Sequence, residues 1–383
     1  MTRGLRNLYL IIALPQNNPG ELRDEVGMEK KKILFMIAHL GNGGAERVST
    51  ELADEMARRG HDVSAIVFDS SFSEYKLESN VHVEFLTKGN GLFAFLQRSR
   101  ELNEKVKSIN PEYIIELGFA ERYMSFTGIH KKYKVITSCR NDPASYCSDG
   151  IINKLWKIQR DLYQKRTYKM VFQTEDAKEY FDSNIQKKSK VIVNPIKEDL
   201  PDRYIGKRDN RVVAFSRLNK QKNIPMLLRA FAEFVQEHEE YTLEIYGRGE
   251  EMENLVYESE RLGISDKVKF CGFCANIHER ILSARMYVSS SDYEGISNSM
   301  LEALAIGLPC ICTDCPAGGA RMVIENNVSG ILIPVGDQKS LTTKMLLLAE
   351  NDDLVESLSK NAVQIRNKLS IANITEEWLS LMA

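Results

Sequence analysis

Short apolar runs alternate with helix-like stretches along most of the chain. In the stretch 45–59, for example, Val48, Leu52 and Met56 recur every four residues, which is the spacing of one helix face. The alternation of such helical stretches with strand-like runs predicts parallel sheets covered by helices, an α/β architecture. The predicted strands are 32–38, 62–68, 81–86, 112–117, 133–139, 169–173 and 190–193, followed by 211–216, 241–246, 267–271, 286–290, 309–313 and 330–333.

The predicted strands divide into two Rossmann-like units, because the six runs of the second half suffice for one such unit. A polar stretch with two prolines, NPIKEDLPDRYIGKRDN, separates them. We therefore predict an N-terminal domain at 28–200 and a C-terminal domain at 201–365. Residues 366–383 end in WLSLMA, which has enough apolar residues for a C-terminal helix that could pack back on the N-terminal domain.

The first 27 residues have a basic start and a short apolar core, which resembles a weak signal peptide. A clear small-residue cleavage site does not follow them. Met28 opens MEKKKILFMIAHL, a natural start for an α/β protein, so we interpret 1–27 as an upstream extension. Since no run approaches the ~18 apolar residues of a membrane span, the expected location is the cytoplasm or the cytoplasmic membrane face.

Composition and charge narrow the range of partners. The 383 residues are 43% hydrophobic and 27% charged, as in soluble globular proteins, and the net charge of -2 predicts no affinity for nucleic acid. Within 131–170, however, ten Lys or Arg stand against three Asp. This segment mixes Ile, Leu, Trp and Tyr with its cations, which fits either an interfacial helix on an anionic membrane or a core-facing helix with a solvated basic face.

Seven cysteines, an odd number, favour reduced thiols. Cys271 and Cys274 form one cluster, and Cys310, Cys312 and Cys315 form another. Four of these could in principle hold zinc, but small apolar side chains on buried strands are the favoured interpretation. A Rossmann strand order would also place the two clusters on opposite sides of the switch point. We therefore expect no metal and no cofactor.

Two loops that follow predicted strands could bind an anion. In AHLGNGGAERVS, Gly43 and Gly44 allow close backbone approach at a helix N-terminus. In AFSRLNKQKN, Arg217 and Lys222 could neutralise a diphosphate. Taken alone, a tight turn without a ligand explains the first loop equally well, and a solvated basic loop explains the second better.

The stretch SDYEGISNSMLEALAIGLP carries two carboxylates around a predicted helix start. Ser297 or Asn298 can cap the helix, whose free N–H groups favour a phosphate. Glu294 lies in the loop before the cap, and Glu302 lies about one turn inside the helix. Two carboxylates beside a phosphate site suit a ligand with hydroxyls on both sides of a diphosphate, such as a nucleotide sugar. By itself, Glu302 would be only a favourable helix-dipole charge.

These motifs together resemble the retaining glycosyltransferases of family 4 (group 1), especially bacterial capsule and surface-polysaccharide transferases. The decisive combination is Arg-x4-Lys followed by Glu-x7-Glu on a second Rossmann unit. The resemblance covers about 28–383 and implies a GT-B fold, in which two Rossmann-like domains face each other across a cleft. The supporting segments are GNGGAER at 41–47, IYGRGEE at 245–251, DYEGISNSMLEALAIGLP at 292–309 and TDCPAGGARMVIENNVSGILIPVGD at 313–337.

The resemblance implies a role for each matching position. Arg217 and Lys222 would bind the donor diphosphate and stabilise the leaving nucleotide, Glu294 would hold the donor sugar, and Glu302 would bind the ribose. Retention would follow from front-face attack, with the leaving phosphate taking the acceptor proton. The chain has no D-x-D motif, so a metal-dependent GT-A mechanism is not expected. The other implied donor-binding positions are Gly43, Gly44, Gly247, Gly272, Phe273, Gly295, Ile296, Ser297 and Asn298.

One segment departs from the family pattern. Many relatives carry a histidine after the fifth strand, where this chain reads TSCRNDP. Arg140 and Asn141 are therefore candidates for contact with the acceptor or the donor sugar, and His39 is interpreted as a packing residue.

The leading hypothesis is sugar transfer from a nucleotide sugar, with a UDP-sugar as the expected donor, to a lipid-linked or surface-glycan acceptor. The basic segment 131–170 would contact the anionic inner membrane face. Two alternatives are a GT-B-fold sugar-nucleotide epimerase, which would need acid–base groups that no histidine-rich crevice supplies, and a non-catalytic nucleotide- or glycan-binding relative. The complete set of motif residues argues against the second alternative.

Overall fold

Two parallel β-sheets carry the described part of the chain, which comprises residues 29–41, 43–140, 142–143 and 151–383 of this computed structural model. The first sheet contains Lys32–Leu40 (β1), Asp62–Ser73 (β2), His82–Phe85 (β3), Tyr113–Glu116 (β4), Lys134–Cys139 (β5), Lys169–Phe172 (β6) and Ser189–Val191 (β7). The second contains Asp209–Phe215 (β8), Thr242–Tyr246 (β9), Val268–Gly272 (β10), Ala284–Ser289 (β11), Cys310–Thr313 (β12) and Ile331–Ile333 (β13).

The strand orders are β3-β2-β1-β4-β5-β6-β7 and β10-β9-β8-β11-β12-β13. Each predicted run overlaps one of these strands, which confirms the α/β prediction. Their continuous apolar sequences suit parallel strands that are buried on both faces. The order reverses between β1 and β4 and between β8 and β11, so each sheet has a switch point at its carboxyl edge, where ligands bind in open α/β sheets.

Helices cover both faces of the sheets. The described helices are Gly44–Arg58 (α1), Gly91–Ile109 (α2), Glu121–Thr127 (α3), Ile151–Arg166 (α4), Glu175–Glu179 (α5), Ser183–Lys187 (α6), Ile224–Phe234 (α7), Met252–Arg261 (α8), Ile277–Ile281 (α9), Asn298–Ala305 (α10), Gly319–Val323 (α11), Gln338–Glu350 (α12), Asp352–Ala362 (α13), Ile365–Lys368 (α14) and Ile371–Leu379 (α15). Within the described ranges, none of these helices combines the length and apolar composition needed to cross a lipid bilayer.

The last helix of the chain packs on the first sheet. Ile374, Trp378 and Leu379 of α15 are buried in the same hydrophobic cluster as the residues of β1 and α1. The hydroxyl of Tyr113 on β4 donates a hydrogen bond of 2.7 Å to the Met382 carbonyl. The chain therefore returns to its N-terminal half after completing the second sheet.

Two carboxyl groups with raised pKa values, the buried Glu116 and the half-buried Glu121, lie where β4 ends. Glu116 has no exposed surface and accepts hydrogen bonds from the Thr137 hydroxyl and from the backbone N–H groups of Gly118 (2.8 Å) and Ala120 (3.3 Å). Burial raises the pKa of Glu116. Burial, with a smaller contribution from the charge of Glu116, raises the pKa of Glu121 to about 8. Glu121 is therefore largely protonated in the folded chain at neutral pH.

We expect Glu121→Gln to stabilise the fold in an alkaline window. The folded pKa lies above the ordinary 4.5, so the unfolded side chain ionises first and stability falls as pH rises from about 4.5 to about 8. The amide cannot ionise, so Tm should rise by about 3 °C or more at alkaline pH and stay unchanged near pH 4.5. Thermal unfolding across this range measures the effect, with the exposed Glu104→Gln as control. An equal Tm gain at both ends would contradict the assignment.

Candidate functional site

A cleft of about 570 Å³ runs along the carboxyl edges of both sheets. Its lining residues follow β1, β2, β4, β5, β6 and β7 of the first sheet and β8, β10 and β11 of the second. The two switch points therefore face the same space, as the GT-B prediction requires. The sequence-predicted residues that line this cleft are Gly43, Gly44, Arg140, Arg217, Lys222, Phe273, Glu294, Ile296, Ser297, Asn298 and Glu302.

The other predicted donor-binding residues lie elsewhere. Gly295 borders a cavity of about 10 Å³ behind Glu294. Gly247 has a φ of 136°, and a Cβ added there would lie 1.8 Å from the Ser216 carbonyl oxygen. Its N–H donates to the Gly272 carbonyl at 2.8 Å. Gly247 thus holds the β9 loop against the β8 loop and bonds it to Gly272 at the end of β10, and neither of these two glycines lines the cleft. Asn141 lies outside the described residues.

Two helix N-termini meet across the cleft. The Ser297 hydroxyl caps α10 by accepting a hydrogen bond from the Met300 N–H at 3.5 Å. α1 begins at Gly44, where an added Cβ would lie only 2.9 Å from Asn298 Nδ2. Gly44 therefore lets the two helices approach closely. Because each N-terminus carries free N–H groups and the positive end of a helix dipole, the space between them favours an anion.

A cation lies beside this anion site. Lys222 ends the 3₁₀ turn Lys220–Lys222 and forms an ion pair with Glu294, and both side chains are largely buried. The Ser290 hydroxyl donates to the Lys222 carbonyl at 2.8 Å, which ties the turn to the end of β11. The exposed side chain of Arg217 adds a second cation from the β8 loop. The two cations can neutralise a diphosphate, and Glu294 can accept hydrogen bonds from hydroxyl groups.

Glu302, the second carboxylate predicted for the ligand site, contacts a histidine that the sequence analysis did not predict. His278 of α9 lies 2.9 Å from Glu302, measured from Nε2 to Oε2. Both side chains are mostly buried, so the contact fixes the direction in which Glu302 points. The stretch NIHERI gave no signal for this role, because the two residues are 24 positions apart in the chain.

An arginine and a tyrosine complete the first-sheet side of the cleft, and neither was predicted. Arg47 of α1 is buried, forms an ion pair with Glu51 at 2.8 Å and donates to the Pro195 carbonyl at 3.2 Å. Burial raises the pKa of Glu51, and the Arg47 charge opposes that shift. Burial likewise raises the pKa of Tyr75. The first-sheet side of the cleft therefore contains a fixed cation, the Arg47 guanidinium, and a neutral hydroxyl, that of Tyr75.

A hydrogen-bond network joins the two sheets at the cleft. Gln173 Nε2 donates to Asn194 Oδ1 at 2.8 Å, and Gln173 Oε1 accepts from the Ile296 N–H at 3.3 Å. Asn194 Nδ2 donates to Asn298 Oδ1 at 2.8 Å, and the Arg140 guanidinium also donates to Asn194. Gln173 and Asn194 were missed, although Gln173 ends one predicted strand and Asn194 directly follows the next, so the rule that sites lie at the carboxyl edge could have found both.

The two predicted cysteine clusters lie in separate places, as expected. Three strands separate β10, which carries Cys271, from β12, which carries Cys310 and Cys312. The residues that the structure describes contain no group of three or more His, Cys, Asp or Glu placed to hold a metal ion. Burial raises the pKa of Cys315, whose thiol is near Glu294, to about 11, so this thiol is neutral.

Comparison with known proteins identifies the second half of the chain. A family model described as glycosyl transferases group 1 matches residues 196–365, which contain both motifs. Residues 196–365 are therefore a group 1 glycosyltransferase domain. This match confirms the predicted resemblance to group 1 glycosyltransferases.

Relatives match over nearly the whole glycosyltransferase. A Campylobacter jejuni α-1,4-N-acetyl-D-galactosaminyltransferase, named for a diNAcBac-PP-undecaprenol-linked acceptor, is 27% identical and covers 92% of this chain and 98% of its own. A second C. jejuni enzyme, a 4-α-N-acetylgalactosaminyltransferase, is 25% identical with coverages of 88% and 95%. Anabaena HepE in complex with UDP-glucose is 20% identical, with a TM-score of 0.78 and coverages of 92% and 99%. The likeness to HepE confirms the predicted GT-B fold.

Proposed function

We propose that this glycosyltransferase moves a sugar from a UDP-sugar to a lipid-linked or surface-glycan acceptor, with retention of anomeric configuration, in bacterial polysaccharide biosynthesis. One observation carries the proposal. Arg217, Lys222, Glu294 and Glu302 come together with two helix N-termini in a single cleft. This set offers cations and N–H groups for a diphosphate and carboxylates for hydroxyls on either side of it.

Each group has a task in the proposed reaction. Arg217 and Lys222 stabilise the charge that develops on the leaving diphosphate. Glu294 binds hydroxyls of the sugar, and Glu302, held by His278, binds the ribose. The acceptor oxygen attacks the anomeric carbon from the face that the diphosphate leaves. The bond from that carbon to the diphosphate oxygen breaks, and the acceptor proton passes to the leaving diphosphate.

The relatives support the choice of donor and acceptor. HepE, which shares the fold, was solved with UDP-glucose, and two C. jejuni relatives are named for undecaprenol-linked substrates. A lipid-linked acceptor requires the enzyme to work at a membrane surface. We therefore include peripheral contact with the anionic cytoplasmic membrane face in the proposal, with the basic segment 131–170 as one source of charge.

Thermal-shift titration with UDP, GDP, ADP and a panel of UDP-sugars tests the donor site. Binding to the folded state raises Tm by mass action, so we expect a shift with UDP and a larger one with a single UDP-sugar. Arg217→Ala should abolish the shift, whereas Arg261→Ala, an exposed arginine on α8, should retain it. The absence of a shift with every nucleotide would refute the donor assignment.

Product analysis separates transfer from the alternative of epimerisation. Transfer releases UDP only when an acceptor is present, and the new linkage keeps the donor's anomeric configuration by NMR. An epimerase would convert the UDP-sugar without any acceptor. None of the described residues that line the cleft is a histidine, which favours transfer over proton abstraction from carbon.

A further inference from the structure

The side-chain amide of Asn194 connects the two halves of the chain at the cleft. Its Oδ1 accepts hydrogen bonds from the Arg140 guanidinium and from Gln173 Nε2, the latter at 2.8 Å. Its Nδ2 donates to Asn298 Oδ1 at 2.8 Å and to the Ile296 carbonyl at 3.5 Å. An asparagine amide offers two N–H donors and an oxygen with two acceptor positions. All four are therefore used, two toward the first sheet and two toward the start of α10.

The chemistry of the partners fixes the orientation of this amide. The Arg140 guanidinium can only donate, so it faces Oδ1, and the Ile296 carbonyl can only accept, so it faces Nδ2. Turning the amide over would set donor against donor and acceptor against acceptor. Because Asn194 is only 4% exposed, water cannot readily replace a lost partner. The amide therefore holds both sides of the cleft in one arrangement.

The backbone that carries this amide is itself fixed. Pro195 restricts the residue before it to an extended conformation. The Pro195 carbonyl accepts a hydrogen bond of 3.2 Å from Arg47 of α1. The Ile196 N–H donates to the Leu369 carbonyl at 2.8 Å. Asn194 thus lies on a braced segment, at the point where the chain leaves the first sheet for the second, and its side chain can hold other groups in place.

Gln173 provides a second link between the halves. It directly follows β6 and is 2% exposed. Its Nε2 donates to Asn194, and its Oε1 accepts a hydrogen bond of 3.3 Å from the Ile296 N–H. Two amides of the first half therefore hold Ile296 by both its N–H and its carbonyl. This residue belongs to the loop between Glu294 and α10, to which the proposed function assigns the donor sugar.

We propose that Asn194 and Gln173 are positioning residues for the transfer reaction. They align the first-sheet side of the cleft, which carries Arg140, with the loop that carries Glu294. The inference rests on the proposed function for the reaction that it serves. Attack requires the reacting atoms of acceptor and donor to be held about 3–3.5 Å apart, so the two sides of the cleft must be held in register. Neutral amides do this without adding charge beside the diphosphate.

Asn194→Asp tests the alignment with almost no change in side-chain size. The carboxylate keeps both accepted hydrogen bonds but cannot donate to the Ile296 carbonyl or to Asn298. We expect kcat for sugar transfer to fall by about a hundredfold. The donor KM should stay within about threefold of the parent value, because the groups proposed to bind the diphosphate and the ribose lie in the second half. Steady-state kinetics at saturating acceptor measures both constants.

Matched variants control this experiment. Asn184→Asp makes the same exchange at an exposed position of α6 and should keep the parent kinetics. Gln173→Glu also keeps its accepted bond and loses its donated one, so kcat should fall by about tenfold. It carries the test if Asn194→Asp does not fold. A lower Tm with the parent kcat in both cleft variants would make the amides purely structural and overturn the proposal.

Backbone hydrogen exchange separates this inference from the proposed function. UDP bound to the parent chain should slow exchange at the start of α10 and also in the loop after β6, because the amides connect the two. In Asn194→Asp, UDP should slow exchange only at the start of α10, and equal slowing in the loop after β6 would overturn the alignment. If UDP slows exchange nowhere, the donor assignment fails, and the Ile296 N–H decides. Faster exchange there in Asn194→Asp without UDP supports the alignment, and unchanged exchange overturns it.

Discussion

Lys222→Ala should lower kcat for sugar transfer by about a thousandfold. In the structure this ammonium group lies against Glu294, beside the N-terminus of α10. Negative charge grows on the leaving diphosphate as its bond to the sugar breaks, and a fixed cation stabilises that charge more in the transition state than in the ground state. Initial rates at saturating donor measure the effect.

The same turn provides the control for this prediction. Lys220 belongs to the 3₁₀ turn that ends at Lys222 but is exposed, so Lys220→Ala should keep the parent rate. Lys222→Arg keeps the charge but changes its shape and reach, and should recover only part of the activity. An unaltered far-UV CD spectrum and Tm would exclude misfolding. A Lys222→Ala rate within tenfold of the parent would place the leaving-group contact elsewhere.

The two sheets could be predicted because their strands are continuous apolar runs. A strand such as ILFMI in β1 is buried on both faces whatever its neighbours are, so its composition reflects its final environment. The positions of Arg217, Lys222 and Glu294 could also be predicted, since each lies in a loop that directly follows a strand, and all such loops meet at the carboxyl edge.

Residues whose roles depend on partners distant in the chain could not be predicted in this way. His278 orients Glu302, and Gln173 contacts the Ile296 N–H from the other sheet. These contacts depend on how helices and sheets pack, which a local pattern does not record. The exposure of the Phe93 side chain, which is 82%, could not be predicted either, because the sequence LFAFLQ is equally compatible with a buried helix end.

The glycines show the limit of motif reasoning most directly. Gly44 and Gly247 both follow strands and both match the family pattern. In the structure, Gly44 lines the cleft, whereas Gly247 lets its own loop pack closely against the β8 loop. A motif therefore indicates that a backbone must approach something closely, and the structure shows whether that neighbour is a ligand or another loop.

Gly44→Val should lower kcat/KM by about a hundredfold, and Gly44→Ala by much less. The added Cβ of alanine would lie 2.9 Å from Asn298 Nδ2, at the end of a side chain that can shift slightly. The γ-methyl groups of valine reach further, so the N-termini of α1 and α10 must move apart. A displacement of about 1 Å between groups that hold the reacting atoms can cost about a hundredfold in rate.

Two comparisons test whether the separation of α1 and α10 causes the expected loss of kcat/KM in Gly44→Val. At Gly43 an added Cβ would meet only the end of the Glu46 side chain, which can swing away, so Gly43→Ala should stay near the parent activity. Asn298→Ala in the Gly44→Val background removes the obstructing group, so the double variant should be more active than the two single losses predict. Steady-state kinetics with a UDP-sugar, together with the UDP-induced thermal shift, measures both effects. If the two losses simply add, the valine acts locally on α1, and the approach of the two helix N-termini is not what binds the diphosphate.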